Sequence, residues 1–166
     1  WMYKKISLDI FRIKTLPYLA FKAWRTMLNG EEVPIITDED KIGKASRSAY
    51  YGGWTEIYKP EIEKGYIYDV NSLYPYIMKT KEYPLGKEVI WSNDKEIENY
   101  YGLIKAKIKV RNKYKNLLPR RSKRNMYGGN GEWIDWYTSE ELKHALKTDK
   151  DLEIDIIEGY KFKKKG

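Results

Sequence analysis

The 166-residue sequence contains no cysteine, a single histidine and no long uninterrupted run of apolar residues. Without cysteine, the chain can form neither a disulfide scaffold nor a zinc ribbon. A membrane-spanning helix needs about 20 consecutive apolar residues, and no segment comes near that length. The N-terminus also lacks the pattern of a signal peptide. We therefore expect a soluble protein that works inside a cell and has no contact with a membrane.

What the chain does have is an excess of basic residues. There are 32 lysines and arginines against 24 aspartates and glutamates, which gives a formal net charge of +8. Clustered basic side chains bind polyanions by releasing counterions. A lysine-rich and isoleucine-rich composition can equally reflect an AT-rich genome, so both explanations stay open. Because the sequence starts at Trp1 and ends in a lysine run, we expect a piece of a longer protein.

Basic residues are concentrated in one segment. Residues 111–124 carry seven basic side chains and no acidic one, whereas residues 31–40 are purely acidic among their charged positions. Like charges repel one another, so we predict that residues 111–124 form a loop or hairpin that a negatively charged partner helps to order. A solvated surface is the alternative explanation.

The pattern of apolar residues predicts helices in the first half of the chain. Apolar residues recur at helical spacing from Leu16 to Leu28, with Thr15 as a possible cap and Asn29-Gly30 as a stop. A second helix is predicted after the acidic residues 38–40, and it must end by Gly52-Gly53. Two strands, about 54–58 and 65–70, and a short helix near Ser72 follow.

Strands predominate in the second half of the chain. Apolar residues alternate with lysines from Ile104 to Val110, and another strand is predicted at 133–137. Thr138 and Glu141 have the spacing of a capping box at the start of a helix, and residues 152–162 form a last strand. The sequence thus predicts an α+β fold with a mixed or antiparallel sheet and three to four helices.

Asp69 is the candidate for chemistry, because it ends the predicted strand 65–70 and Ser72 can cap the helix that follows. A carboxylate oxygen suits Mg²⁺, and the free amides of a helix start suit phosphate. A metal-bound triphosphate needs both groups side by side. Asp-x-x-Ser alone is a weak signal, since an aspartate at a strand end is usually a simple turn former.

The longer context is more specific. Asp69-Val-Asn-Ser-Leu-Tyr-Pro75 resembles the first palm motif of B-family DNA polymerases. Upstream, Arg47-Ser-Ala-Tyr-Tyr-Gly-Gly53 resembles the Tyr-x-Gly-Gly motif of the protein-primed branch, which is found in phages, linear plasmids and viruses. Residues 128–162 are similar to the palm-proximal region of that branch. Residues 86–127 are only loosely similar, at the place where the family carries its first terminal-protein region.

The resemblance implies roles for individual residues. Asp69 would be one of two catalytic aspartates that hold two Mg²⁺ ions, with help from the Val70 carbonyl. Leu73 and Tyr74 would offer amides to the incoming deoxynucleoside triphosphate (dNTP), and Ser72 would order the turn. The Tyr74 ring would exclude a ribose 2′-hydroxyl.

The resemblance also implies partners, namely the DNA template and primer, a terminal priming protein and the remaining polymerase segments. From the resemblance and the charge pattern together we predict these DNA contacts: Arg47, Tyr50, Gly52, Gly53, Lys105, Lys107, Lys109, Arg120, Arg121, Lys123 and Arg124. Read as an isolated motif, Gly52-Gly53 is an ordinary helix stop. The single histidine, His144, is predicted on a helix surface without a ligand role. Core and sheet packing explains Trp54, Trp133 and Trp136 more simply than base stacking does.

We expect four segments along the chain. They are a helical junction (1–53), the start of the palm (54–85), a basic insertion resembling the first terminal-protein region (86–127) and a palm-proximal strand–helix–strand unit (128–166). The sequence lacks the second metal-binding aspartate and the fingers lysine of such enzymes. We therefore expect a polymerase fragment that is inactive by itself.

Two other functions stay open. The chain could be a non-catalytic basic module that binds DNA or a terminal protein, or a structural protein with a residual polymerase motif. As part of a polymerase, it would work in the host cytoplasm, or in an organelle if it comes from a mitochondrial plasmid.

Overall fold

A computed structural model describes residues 9–28, 30, 37, 39–53, 55, 57, 59–111, 117–122 and 125–165. The chain divides into two compact units, Trp1–Ile35 and Ile36–Gly166. In the first unit, a short 3-10 turn (Ile10–Arg12) precedes helix α1 (Leu16–Met27). The Thr15 side chain accepts a hydrogen bond from the Tyr18 amide at 3.4 Å, which confirms the predicted cap.

The second unit contains the remaining elements of the described residues, which are three helices, six strands and a 3-10 turn. In chain order they are α2 (Lys41–Ser48), α3 (Leu73–Thr80), β1 (Tyr83–Ser92), the 3-10 turn (Ile97–Asn99), β2 (Gly102–Val110), β3 (Arg120–Ser122), β4 (Asn125–Tyr127), β5 (Gly131–Thr138), α4 (Ser139–Thr148) and β6 (Leu152–Lys165). Four strands form one antiparallel sheet in the order β1-β6-β2-β5, and β3 pairs with β4 in a separate hairpin. The protein therefore has an α+β fold, as predicted.

Strand β2 is an inner strand of the sheet and follows the predicted alternation. Ile104, Ala106 and Ile108 are fully buried on one face, and the intervening lysines lie on the other face, as successive side chains in a strand must. Tyr137 of β5 lies directly opposite Ile104. The same core includes Leu118, which precedes β3.

Helix α4 covers the core face of the sheet. Its first turn is held by the predicted capping box, in which Thr138 and Glu141 each bind the other's backbone amide. Leu142 and Ala145 are fully buried against the sheet. The local sequence therefore predicted both the start of this helix and its inner face.

The opposite face of the sheet is covered at one end by α2. Ala45 and Ala49 pack there against Leu103 of β2, next to Trp136 and Tyr160. The rings of Trp136 and Tyr160 stack with their centroids 5.6 Å apart. This confirms sheet packing for Trp136, and Trp133 likewise packs against the core; Trp54 lies outside the described residues.

The predicted strand 65–70 is wrong. These residues are not in a strand and pair with none of the described strands. Ile67 is 99% exposed, so its side chain has no sheet or core to pack against. Of the predicted strand 54–58, only Thr55 and Ile57 are described, and neither is in a strand.

Strands from the predicted segments 86–127 and 128–166 share one sheet, since β2 lies between β5 and β6. The four segment boundaries themselves stay a prediction. None of the helices in the described part of the chain is long and apolar enough to cross a membrane.

Candidate active site and nucleic-acid interface

Asp69 lies in an exposed stretch without regular structure, a few residues before α3. Its side chain forms no hydrogen bond or ion pair with the described residues. The neighbouring Val70 is also exposed. The Asp69 carboxylate is therefore open to solvent and available to a ligand.

Ser72 sets the start of α3. It occupies the N-cap position with a left-handed backbone (φ 51°, ψ 41°), and its side chain makes no capping hydrogen bond. Its carbonyl accepts the Tyr76 amide at 2.9 Å. The first amides of a helix have no partner within the helix, and Pro75 has none to offer. Leu73 and Tyr74 thus present amides without an intrahelical partner at this end of α3, close in sequence to Asp69.

The Tyr-x-Gly-Gly motif follows the end of α2. Tyr50 is 74% exposed, and Gly52 has a left-handed backbone with φ 64°. A β-carbon placed at Gly53 would lie 3.9 Å from the Tyr74 hydroxyl. The structure therefore brings residues of the two motifs next to each other.

The hairpin β3–β4 is attached to the same motif by Arg121. The Arg121 guanidinium donates a hydrogen bond to the Tyr50 carbonyl at 2.5 Å and lies over the Tyr51 ring at 5.3 Å. Arg120 lies over the Trp133 ring, also at 5.3 Å. Part of the basic segment thus forms a hairpin, as predicted, and its arginines contact the domain. Lys123 and Arg124 lie outside the described residues.

The lysines of β2 have acidic neighbours that local sequence did not reveal. The Lys105 Nζ lies 3.4 Å from a carboxylate oxygen of Glu158, and the Lys107 Nζ lies 3.1 Å from a carboxylate oxygen of Glu132. Lys109 contacts Glu132 at 3.5 Å and Glu153 at 3.4 Å. The hydrogen bond from Lys107 is the main reason that the pKa of Glu132 is lowered. This face of the sheet is therefore a ladder of ion pairs, with far less excess charge than the lysines alone suggested.

Two tyrosines link the motif to the core. Tyr51 stacks on Tyr137 with ring centroids 5.5 Å apart. The Tyr51 hydroxyl is buried and has no hydrogen-bond partner among the described residues. Burial raises the pKa of Tyr51 above its usual range and the pKa of Tyr137 to about 12. Both hydroxyls therefore stay protonated at neutral pH.

The family profile described as DNA polymerase type B, organellar and viral, matches residues 1–166. The chain belongs to this family.

Curated proteins similar to this chain are named as DNA polymerases or probable DNA polymerases. The chain is 30% identical to a probable DNA polymerase of Podospora anserina over 99% of its length, and 33% identical to one of Neurospora intermedia over 97%. It is also 30% identical over 75% of its length to the DNA polymerase of Bacillus phage B103. The chain covers only 14%, 18% and 24% of these three relatives. No solved structure matches the chain.

Family membership raises the question of a metal site. In the described part of the chain, no three His, Cys, Asp or Glu side chains come together as metal ligands. Asp69 offers one exposed carboxylate of the hard oxygen type that Mg²⁺ prefers. By its chemistry, Asp69 could therefore offer one ligand to a metal site, and the described residues do not bring a second and third ligand to it.

Sequence reasoning missed several residues of this region, namely Tyr51, Tyr137, Glu132, Glu153 and Glu158. The glutamates were visible only as acidic residues in distant strands. Pairing the strands in register would have found Glu132 opposite Lys109 and Glu158 opposite Lys105. Tyr51 carries no local signal of its own, because its partners come from β3 and β5. The predicted surface position of His144 is confirmed, since it is exposed on α4.

Proposed function

We propose that this chain is part of a DNA polymerase that copies a viral or plasmid genome by nucleotidyl transfer. The family match over residues 1–166 supports this. The observation that carries it is the juxtaposition of the two motifs, with Tyr74 beside Gly53 and the exposed Asp69 just ahead of α3.

In this proposal, the Asp69 carboxylate and the Val70 carbonyl hold Mg²⁺. When bound, Mg²⁺ would supply positive charge that stabilises the attacking 3′-oxygen and the pyrophosphate leaving group. The amides of Leu73 and Tyr74 bind triphosphate oxygens, because a helix N-terminus carries partial positive charge. Ser72 orients these amides through its left-handed backbone, and the Tyr74 ring excludes a ribose 2′-hydroxyl.

One carboxylate does not hold two metal ions. We therefore propose that a second aspartate, from a further part of the polymerase, completes the site, and that the 166-residue chain alone incorporates no nucleotide. The complete enzyme would work inside the host cell, or in an organelle for a mitochondrial plasmid.

The template strand is proposed to run along Tyr50, Gly52 and Gly53, where glycine allows close approach of a phosphate, with Arg47 nearby. Further phosphate contacts are proposed at Lys105, Lys107, Lys109, Arg120, Lys123 and Arg124. We also propose that residues 86–127 contact a terminal priming protein. The ion pairs on β2 weaken the alternative of a purely basic binding module, since the paired glutamates offset the charge of its lysines.

The metal role is tested with Asp69→Asn in the complete gene product. Incorporation of dNTPs on a primed template is expected to fall by about three orders of magnitude, because several kcal/mol of charge stabilisation is lost. DNA affinity should stay nearly unchanged. Glu63→Gln is the matched control, since Glu63 is an exposed carboxylate in the same stretch. Loss of DNA binding in Asp69→Asn, or full activity, would refute the metal role.

A further inference from the structure

Arg121 lies where the β3–β4 hairpin meets the Tyr-x-Gly-Gly motif. Its guanidinium makes two contacts with that motif, a hydrogen bond to the Tyr50 carbonyl at 2.5 Å and a cation–π contact with the Tyr51 ring at 5.3 Å. A guanidinium suits this double task, because its planar shape stacks on a ring while its N–H groups stay free to donate. Arg121 therefore contacts both backbone and side chain of the motif.

Tyr51 has two stacking partners. Its ring stacks on Tyr137 at an interplanar angle of 14°, and the Arg121 guanidinium lies 5.3 Å from the centroid of the same ring. Tyr51 is only 8% exposed. The ring is thus buried and contacts both the sheet, through Tyr137, and the hairpin, through Arg121.

The hairpin is anchored to the same tyrosine of the sheet. The Tyr137 hydroxyl donates to the Pro119 carbonyl at 2.6 Å and accepts a hydrogen bond from the Trp133 ring nitrogen at 2.7 Å. Leu118 beside Pro119 is fully buried. Arg121 is therefore presented to Tyr50 and Tyr51 from a backbone that is already held by the core.

Apart from the buried Tyr51 ring, the segment that Arg121 contacts has few packing contacts. Residues 50–53 have no regular structure, Tyr50 is largely exposed, and no β-carbon at Gly52 would meet another atom within 4 Å. Segments with few packing contacts open easily. The hydrogen bond from Arg121 to the Tyr50 carbonyl therefore adds to the Tyr51 packing in holding the path of this backbone.

We propose that Arg121 is a positioning residue for template binding. It holds the Tyr50–Gly53 backbone in the conformation that receives a single strand of DNA, and it acts through that backbone and not through direct contact with phosphate. This rests on the proposed function, in which Tyr50–Gly53 contact the template. Through Arg121, the β3–β4 hairpin also supports the Tyr-x-Gly-Gly motif, although the two lie far apart in the sequence.

Two measurements on the complete gene product test this, with Arg121→Lys and Arg121→Gln as variants and Arg25→Lys on α1 as the matched control. The first measurement is hydrogen–deuterium exchange of residues 50–53. Both Arg121 variants should exchange faster there, with exchange in β2 and β6 unchanged.

The second measurement is the affinity for a labelled 16-nucleotide single strand at several salt concentrations. Both variants should lose about fivefold or more in affinity, with the slope of log affinity against log salt unchanged.

A direct phosphate contact gives a different result. In that case Arg121→Lys keeps its affinity, and Arg121→Gln reduces the salt slope by about 0.7. That outcome overturns the positioning role, and so does unchanged exchange at residues 50–53. A third outcome is that the Arg121 variants exchange faster at residues 50–53 but the wild-type protein does not bind the single strand. That result supports the contact made by Arg121 and refutes the proposed function. The two proposals therefore fail in distinguishable ways.

Discussion

The hydroxyl of Tyr74 lies 3.9 Å from the position that a β-carbon would occupy at Gly53. Tyr74 belongs to the first turn of α3, and Gly53 follows the end of α2. This separation is an ordinary van der Waals contact, so the two motifs touch without crowding. The glycine pair and Tyr74 can each be substituted separately to test what they contribute.

Gly52 and Gly53 should respond differently to substitution. Gly52→Ala is expected to lower the free energy of unfolding by about 1–2 kcal/mol, because a β-carbon disfavours the left-handed backbone that Gly52 adopts at φ 64°. Urea denaturation of the 166-residue chain measures this. Gly53→Ala is the control and should be nearly neutral, since its β-carbon meets Tyr74 only at contact distance. Equal costs at the two positions would contradict this account.

Replacing the Tyr74 ring should change sugar selection. In the complete gene product, Tyr74→Val is expected to raise ribonucleotide incorporation relative to dNTP incorporation by on the order of tenfold or more, because it removes the ring that we propose excludes a 2′-hydroxyl. Ratios of kcat/KM for the two substrates measure this. Tyr74→Phe retains the ring and should keep the discrimination. If Tyr74→Val discriminates as well as the wild type, the ring does not lie under the sugar.

Asp94 should make the fold sensitive to acid. Its pKa is lowered to about 2, mainly by the Glu96 amide that donates to its carboxylate, and further by Lys161 and Asn99. Because the folded-state pKa lies below the ordinary aspartate value of 3.8, the ionised form stabilises the fold above about pH 4. This contribution is lost as the pH falls from about 4 to about 2.

The test compares wild type with Asp94→Asn by urea denaturation between pH 7 and pH 2. The difference in unfolding free energy should be constant near neutral pH and shrink as the pH falls through that window. Glu98→Gln is the control, since Glu98 is a nearby exposed carboxylate. A difference that does not vary with pH would contradict the proposed effect of ionisation.

The capping box should contribute measurably to stability. Thr138→Ala removes the oxygen that accepts the Glu141 amide at 3.3 Å, and we expect a loss of about 1 kcal/mol in the free energy of unfolding. Thr138→Ser retains that oxygen and should lose much less. A similar loss in both variants would mean that the methyl group, and not the cap, stabilises this turn.

Local sequence predicted the elements whose causes are local. The capping box of α4 needs only Thr138 and Glu141, three residues apart, and the face of β2 needs only the alternation from Ile104 to Val110. Helix α3 was also predicted near Ser72, although its start relies on a left-handed backbone and not on a side-chain cap. The motifs likewise identified Asp69 and the Tyr-x-Gly-Gly turn without any knowledge of the fold.

The strand at 65–70 shows where this reasoning fails. Its apolar residues have strand propensity, but a strand exists only when a partner supplies hydrogen bonds, and none of the described strands does so. Strand propensity depends on packing against neighbours in the sheet. No pattern within residues 65–70 reports whether those neighbours are present.

By itself, the sequence determined the α+β class, the side-chain caps of α1 and α4, the buried face of β2 and the two polymerase motifs, because each depends on residues close together in the chain. Only the tertiary structure decided the pairing of the β2 lysines with Glu132, Glu153 and Glu158, the contact of Gly53 with Tyr74 and the attachment of Arg121 to Tyr50 and Tyr51. Those contacts join residues from different strands and helices. Their distances depend on strand register and on packing across the sheet, which local sequence does not report.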